Sequence, residues 1–117
     1  MEPGRPLEPT REITVRNING KTVLAPVAAL TQKNAGQLES LLTLLLKKNI
    51  TEIVLDLDQV PFFDSKALEI LVDAQKNLKS KNGTLLLSNL NDVCRDILIC
   101  ARLINQFGIM NQTYYRS

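Results

Sequence analysis

Ile53-Val54-Leu55-Asp56-Leu57-Asp58-Gln59-Val60-Pro61-Phe62-Phe63-Asp64-Ser65-Lys66-Ala67-Leu68 is the stretch that decides the fold. It opens on a near-continuous apolar run, Ile53 to Leu57, of the kind that forms a strand buried on both faces in a parallel sheet. Pro61 has no amide hydrogen to give to a ladder and marks a turn just beyond it. Asp64 and Ser65 are both residue types that cap helix N-termini, and Glu69 follows about a turn later. From Ala67 onward, Leu68, Leu71, Val72 and Leu78 recur at helical spacing. The stretch therefore reads strand, loop, capped helix, with Asp64 and Ser65 on the surface where the helix begins. Free backbone N–H groups and the positive end of the helix dipole suit that position to an anion or a phosphoryl group.

Working outward, Met1 to Thr10 holds three prolines and a glycine, and residues 1–11 are expected to form a flexible tail. Ile13, Val15 and Ile18 begin an alternating strand, Asn19-Gly20 is a strong hairpin signal, and Lys21 to Pro26 supplies the return strand. Thr31 is the expected N-cap of a first helix running to about Lys48. Its apolar positions Ala35, Leu38, Leu41, Leu42, Leu45 and Leu46 form one broad stripe for packing on a sheet. The second helix should stop near Gly83, with Lys76, Lys79 and Lys81 at its solvated end. Leu85-Leu86-Leu87 reads as another buried strand. Asn89 or Asn91 then caps a third helix bearing Val93, Ile97, Leu98, Ala101 and Ile104, and Phe107 to Met110 forms a short last strand. The order β-β-α-β-α-β-α-β predicts an α/β domain at residues 12–110, with a mixed, mostly parallel sheet packed against helices. Residues 111–117, with Tyr114 and Tyr115, are expected to be a tail.

At 117 residues, with 44% hydrophobic and 22% charged residues, the chain is expected to be one globular domain. A net charge of +2 with both signs mixed gives no basic face for nucleic acid. No apolar run reaches the roughly 18 residues of a membrane span, so direct membrane insertion is not expected. The start shows no apolar signal-peptide core, and Cys94 and Cys100 point to different faces of one helix rather than to a disulfide. These features together predict a reduced, cytoplasmic protein.

The chemistry of the side chains argues against an enzyme. The sequence holds no histidine, which removes the commonest general base and metal ligand. Gly20-Lys21 lacks the rest of a phosphate-binding loop, and the two cysteines lack zinc-site spacing. Asp56, Asp58 and Asp64 form the one local carboxylate cluster. Asp56 and Asp58 should share a strand face, where carboxylates at a strand end are expected to be solvated. No catalytic residue, metal site or cofactor is expected.

Leu-Asp-Leu-x-x-Val-x-Phe-x-Asp-Ser before a helix, followed by Asn82-Gly83 and a second apolar strand, resembles the STAS domain, the family of the bacterial anti-sigma factor antagonists. The likeness runs from about Glu12 to Met110 and is most specific from Val54 to Leu68. It implies the STAS fold and a non-enzymatic interaction module that binds an anti-sigma factor, itself a serine kinase of the GHKL type, to control transcription. It places the partner-binding surface at Leu30, Thr31, Asp64, Ser65, Lys66, Ala67 and Leu68.

In the antagonists the turn reads Asp-Ser-Ser-Gly or close to it, and the partner kinase phosphorylates the second Ser. This sequence matches at Asp64 and Ser65, carries Lys66 at the acceptor position and has Ala67 for the glycine. Ser65 is left as the candidate acceptor, with its hydroxyl expected to be engaged in capping, and Lys66 sets a permanent positive charge at the partner face. Many members have Gly-x-Leu-Asp after the second strand, where this chain reads Ala28-Ala29-Leu30-Thr31. A last helix common in the family is expected to be absent, leaving a gap for a partner or a second copy in a homodimer. Two further family readings stay open: a small subunit of a lipid-transporting ABC complex, which needs no phosphoserine, and a nucleotide-binding STAS domain.

Overall fold

The computed structural model describes residues 13–110. The expected tails at 1–11 and 111–117, with Tyr114 and Tyr115, lie outside the described residues, as does Glu12. The elements are β1 (Ile13–Ile18), β2 (Lys21–Pro26), α1 (Ala35–Lys47), β3 (Glu52–Asp56), α2 (Ser65–Lys79), β4 (Thr84–Ser88), α3 (Asp92–Cys100), a single 3-10 turn at Ile104–Gln106 and β5 (Gly108–Met110). Their order is the one expected from the sequence.

Among the described residues the strands form one five-stranded sheet in the order β1-β2-β3-β4-β5. β1 and β2 pair antiparallel through a tight turn, with Ile18 opposite Lys21, and each later pair is parallel. Every parallel crossover steps in the same direction. Because such crossovers are right-handed, all three helices fall on one face of the sheet. Leu24, Ile53, Leu55, Leu85 and Leu87 pack there with Leu38, Leu42 and Leu45 of α1, Ile70, Leu71 and Leu78 of α2, and Leu98 of α3. The opposite face holds a smaller cluster, Val23 and Val54 with Ile18 and Leu86 against them. β3 is therefore buried on both faces, as its unbroken apolar run required.

Several expected boundaries move. The first helix begins at Ala35 with Asn34 at its cap position, not at Thr31. The Thr31 carbonyl instead accepts from the N–H groups of Asn34 and Ala35, at 3.0 and 2.7 Å, in a turn that precedes the helix. α2 ends at Lys79, and the left-handed residue after it is Asn82, at φ 62°, not Gly83. Gly83 is needed for a different reason: a Cβ there would lie 2.6 Å from the Thr51 Cβ and against the Thr51 carbonyl. In α3 the buried residues are Cys94 and Leu98, whereas Val93 faces solvent. Ala101 caps that helix and Ile104 lies in the 3-10 turn, because Arg102 takes φ 62° and breaks the ladder.

A polar side chain in the core ties the sheet edge. Gln75 of α2 is buried. Its Oε1 accepts from the Leu85 N–H at 3.1 Å, while its Nε2 donates to the carbonyls of Leu85 and Gln106 at 3.4 and 2.7 Å. β5 pairs with β4 only from Leu86 onward, so the Gln75 amide serves Leu85 where the neighbouring strand has not yet begun.

Candidate interaction surface at the strand ends

Parallel strands that feed helices bring the helix N-termini to one edge of the sheet. Asn34, Asp64 and Asn91 are the cap residues of α1, α2 and α3 there. The three loops are laced together. Leu30 bridges to Phe63, its N–H donating to the Phe62 carbonyl at 3.1 Å while its carbonyl accepts from the Asp64 N–H at 3.0 Å. Asn34 Oδ1 accepts from the Thr31 N–H and its Nδ2 donates to the Ala29 carbonyl, both at 2.8 Å. On the other side, Asn91 Oδ1 accepts from the Cys94 N–H at 2.7 Å and its Nδ2 donates to the carbonyls of Val60 and Pro61 at 3.2 and 3.3 Å.

Asp64 is the central brace. Oδ1 accepts from the Ala67 N–H at 3.0 Å, closing the first turn of α2, and Oδ2 accepts from the Gln32 N–H at 2.8 Å across the edge. The Ala67 bond first, and then the Gln32 bond, hold this carboxyl below its ordinary value of 3.8. Capping thus belongs to Asp64. Ser65 is the first residue of α2 and is exposed, and its hydroxyl makes no hydrogen bond among the described residues. The expectation that the Ser65 hydroxyl would be engaged in capping is corrected: the aspartate reaches the helix N–H first.

Lys66 is exposed and pairs loosely with Glu69 at 3.7 Å, one turn along the helix. Thr31 is half-buried, and its Oγ1 accepts from the Lys33 N–H at 3.3 Å. Leu30 and Ala67 lie in the core, and Leu68 packs partly against it. The expectation that Leu30 and Ala67 contact a partner is corrected for their side chains, which are buried in the core; Leu68 is half-buried.

Sequence reading missed the apolar rim. Val27, Phe62 and Val93 are 44, 45 and 53% exposed, one on each loop or helix start along this edge. Phe62-Phe63 announces an aromatic loop, yet the letters do not say which ring turns in; Phe63 is the buried one. Asp56 was missed in the opposite sense. Far from solvated, it is 5% exposed, and its Oδ1 accepts from Asn89 Nδ2 at 2.9 Å and the Asp58 N–H at 3.1 Å. This carboxylate braces the loops. Among the described residues no group of three or more His, Cys, Asp or Glu side chains is placed to hold a metal, and no helix is long and apolar enough to cross a membrane.

The family profile of the STAS domain matches residues 12–114. The chain belongs to the STAS domain family. A Bordetella bronchiseptica protein, BtrV, which carries the provisional name of an anti-sigma factor antagonist, is 25% identical over 100 residues, 86% of each chain. This STAS domain also superposes on a Thermotoga maritima structure described in the same provisional terms, with a TM-score of 0.83 at 21% identity, covering 91% of this chain and 92% of the other. The phosphorylated form of the Bacillus cell fate determinant SpoIIAA gives a TM-score of 0.68 at 14% identity, with 86 and 92% covered. At these identities the two structures speak for the fold.

Proposed function

We propose that this STAS domain is a non-enzymatic binding module of the anti-sigma factor antagonist type. It docks an anti-sigma factor that is also a GHKL-type serine kinase, through the edge formed by Gln32, Phe62, Ser65, Lys66 and Val93, with Ser65 as the phosphoryl acceptor. The observation that carries this reading is the division of labour at the start of α2: Asp64 caps the helix, leaving the Ser65 hydroxyl free and exposed. A phosphoryl group there would add about −1.5 to −2 charge at neutral pH. The helix dipole would favour it, and it would stand beside the Phe62 rim on which an apolar partner surface would rest. The name of BtrV supports the same direction.

Intact-mass analysis of the protein from its own host, with fragmentation across Asp64 to Leu68, tests the reading. The expected result is a phosphoryl group on Ser65 that disappears in Ser65→Ala, with loss of partner capture when it is present. An unmodified chain under all growth conditions that captures permease and ATPase subunits would move the assignment to a transport-complex subunit.

A further inference from the structure

The chain contains two Asn-Gly pairs, Asn19-Gly20 and Asn82-Gly83, and the fold treats them oppositely. Both asparagines are left-handed, at φ 54° and 62°. That conformation turns the following backbone nitrogen away from the asparagine side chain, so ring closure between them requires the turn to open. At Asn19 little opposes opening. Asn19 and Gly20 are both exposed at the hairpin tip, and nothing lies within 4 Å of where a Cβ on Gly20 would sit. At Asn82 the next residue is locked. Gly83 is buried against Thr51, and its N–H is held by the Leu78 carbonyl at 2.7 Å.

We propose that the Asn19-Gly20 turn is a site of spontaneous covalent modification in the folded protein, while Asn82-Gly83 is protected. The Gly20 nitrogen attacks the Asn19 side-chain carbonyl carbon. A C–N bond forms and the C–NH2 bond breaks, and the amide leaves as ammonia carrying the Gly20 proton. Water then opens the succinimide at either carbonyl, giving aspartate or isoaspartate. Either product adds a negative charge beside Lys21, and isoaspartate also inserts a methylene into the backbone of the turn that sets the Ile18–Lys21 register. The hairpin lies at the end of β2 remote from Pro26 and the Ser65 edge, so the modification ages the sheet without touching the proposed docking surface.

The test is storage of the full chain in mildly alkaline buffer, followed by peptide mapping with tandem mass spectrometry and detection of isoaspartate. The expected result is conversion at Asn19 roughly tenfold or more faster than at Asn82, because the exposed tip opens locally whereas the turn at Asn82 is anchored by the buried, hydrogen-bonded Gly83. In denaturant the two sites should convert at similar rates, and Asn19→Ser should abolish the early product. Equal rates in the folded protein, faster loss at Asn82, or an Asn19 that converts only in denaturant would each overturn the proposal.

Discussion

Asp64 Oδ2 accepts the Gln32 backbone N–H at 2.8 Å while Oδ1 caps α2, so one carboxylate fixes both the helix that starts with Ser65 and the loop that enters α1. The bonds favour the ionised form. Their contribution is present above the unfolded-state value, near the ordinary 3.8, and is lost as pH falls through the lower folded-state value. Asp64→Asn keeps one acceptor oxygen and turns an amide donor toward the other N–H. Its melting temperature should fall by about 5 °C at neutral pH. The gap to the parent protein should close below pH 3.8, as seen in parallel thermal melts across pH.

Gln75→Leu keeps the bulk and removes the amide. The Leu85 N–H and carbonyl, which lie ahead of the start of β5, lose their partner, at about 1–3 kcal/mol for each buried group left unpaired. Urea unfolding should show that loss as a lower midpoint with an unchanged slope. A variant as stable as the parent would show that water serves Leu85 instead.

Two glycines separate close approach to backbone from close approach to a side chain. At Gly83 an added Cβ meets the Thr51 carbonyl and Cβ, whereas at Gly108 it meets only the Leu86 Cδ2. Gly83→Ala should cost about 1–3 kcal/mol, the range for forced backbone shifts in a packed site. Gly108→Ala should cost less, since Leu86 can change rotamer. Chemical denaturation of both variants measures the difference.

The cysteines differ in reactivity. Cys94 is buried, with its Sγ donating to the Val60 carbonyl at 3.5 Å, and burial pushes the thiol up from 9.0 to about 11. Cys100 is exposed. A thiol reagent near neutral pH should label Cys100 promptly and Cys94 only on unfolding, because the thiolate is the nucleophile. The raised value also gives a sign for alkaline stability. It is intact below pH 9.0 and declines as pH climbs toward about 11, where the unfolded chain gives up a proton that the folded chain keeps.

The sheet and its helices were legible because their signals are periodic: Ile53 to Leu57, the leucine stripe of α1 and the Asn19-Gly20 hairpin each fix an element without tertiary help. The start of α2 was legible too, since Asp64 is a cap by residue type. What escaped depends on distant partners. Asn34, not Thr31, takes the N-cap position of α1, and its amide braces the preceding turn at Thr31 and Ala29 instead of bonding to the helix. Asp56 is buried because Asn89, from another loop, reaches it. Gln75 is a polar residue that is buried because β5 begins only opposite Leu86 and leaves Leu85 to its amide. Val93 and Phe62 are apolar letters turned outward, a choice that no spacing rule within α3 or the loop encodes.

The sequential strand order also governs how the sheet can be assembled. Each strand pairs with the one made just before it, so no strand must wait for a later one to insert between neighbours already in place. Short-range closure of this kind keeps contact order low for a largely parallel sheet. During synthesis the β1–β2 hairpin can form first and act as a template, with each helix–strand unit adding to the open edge as it leaves the ribosome.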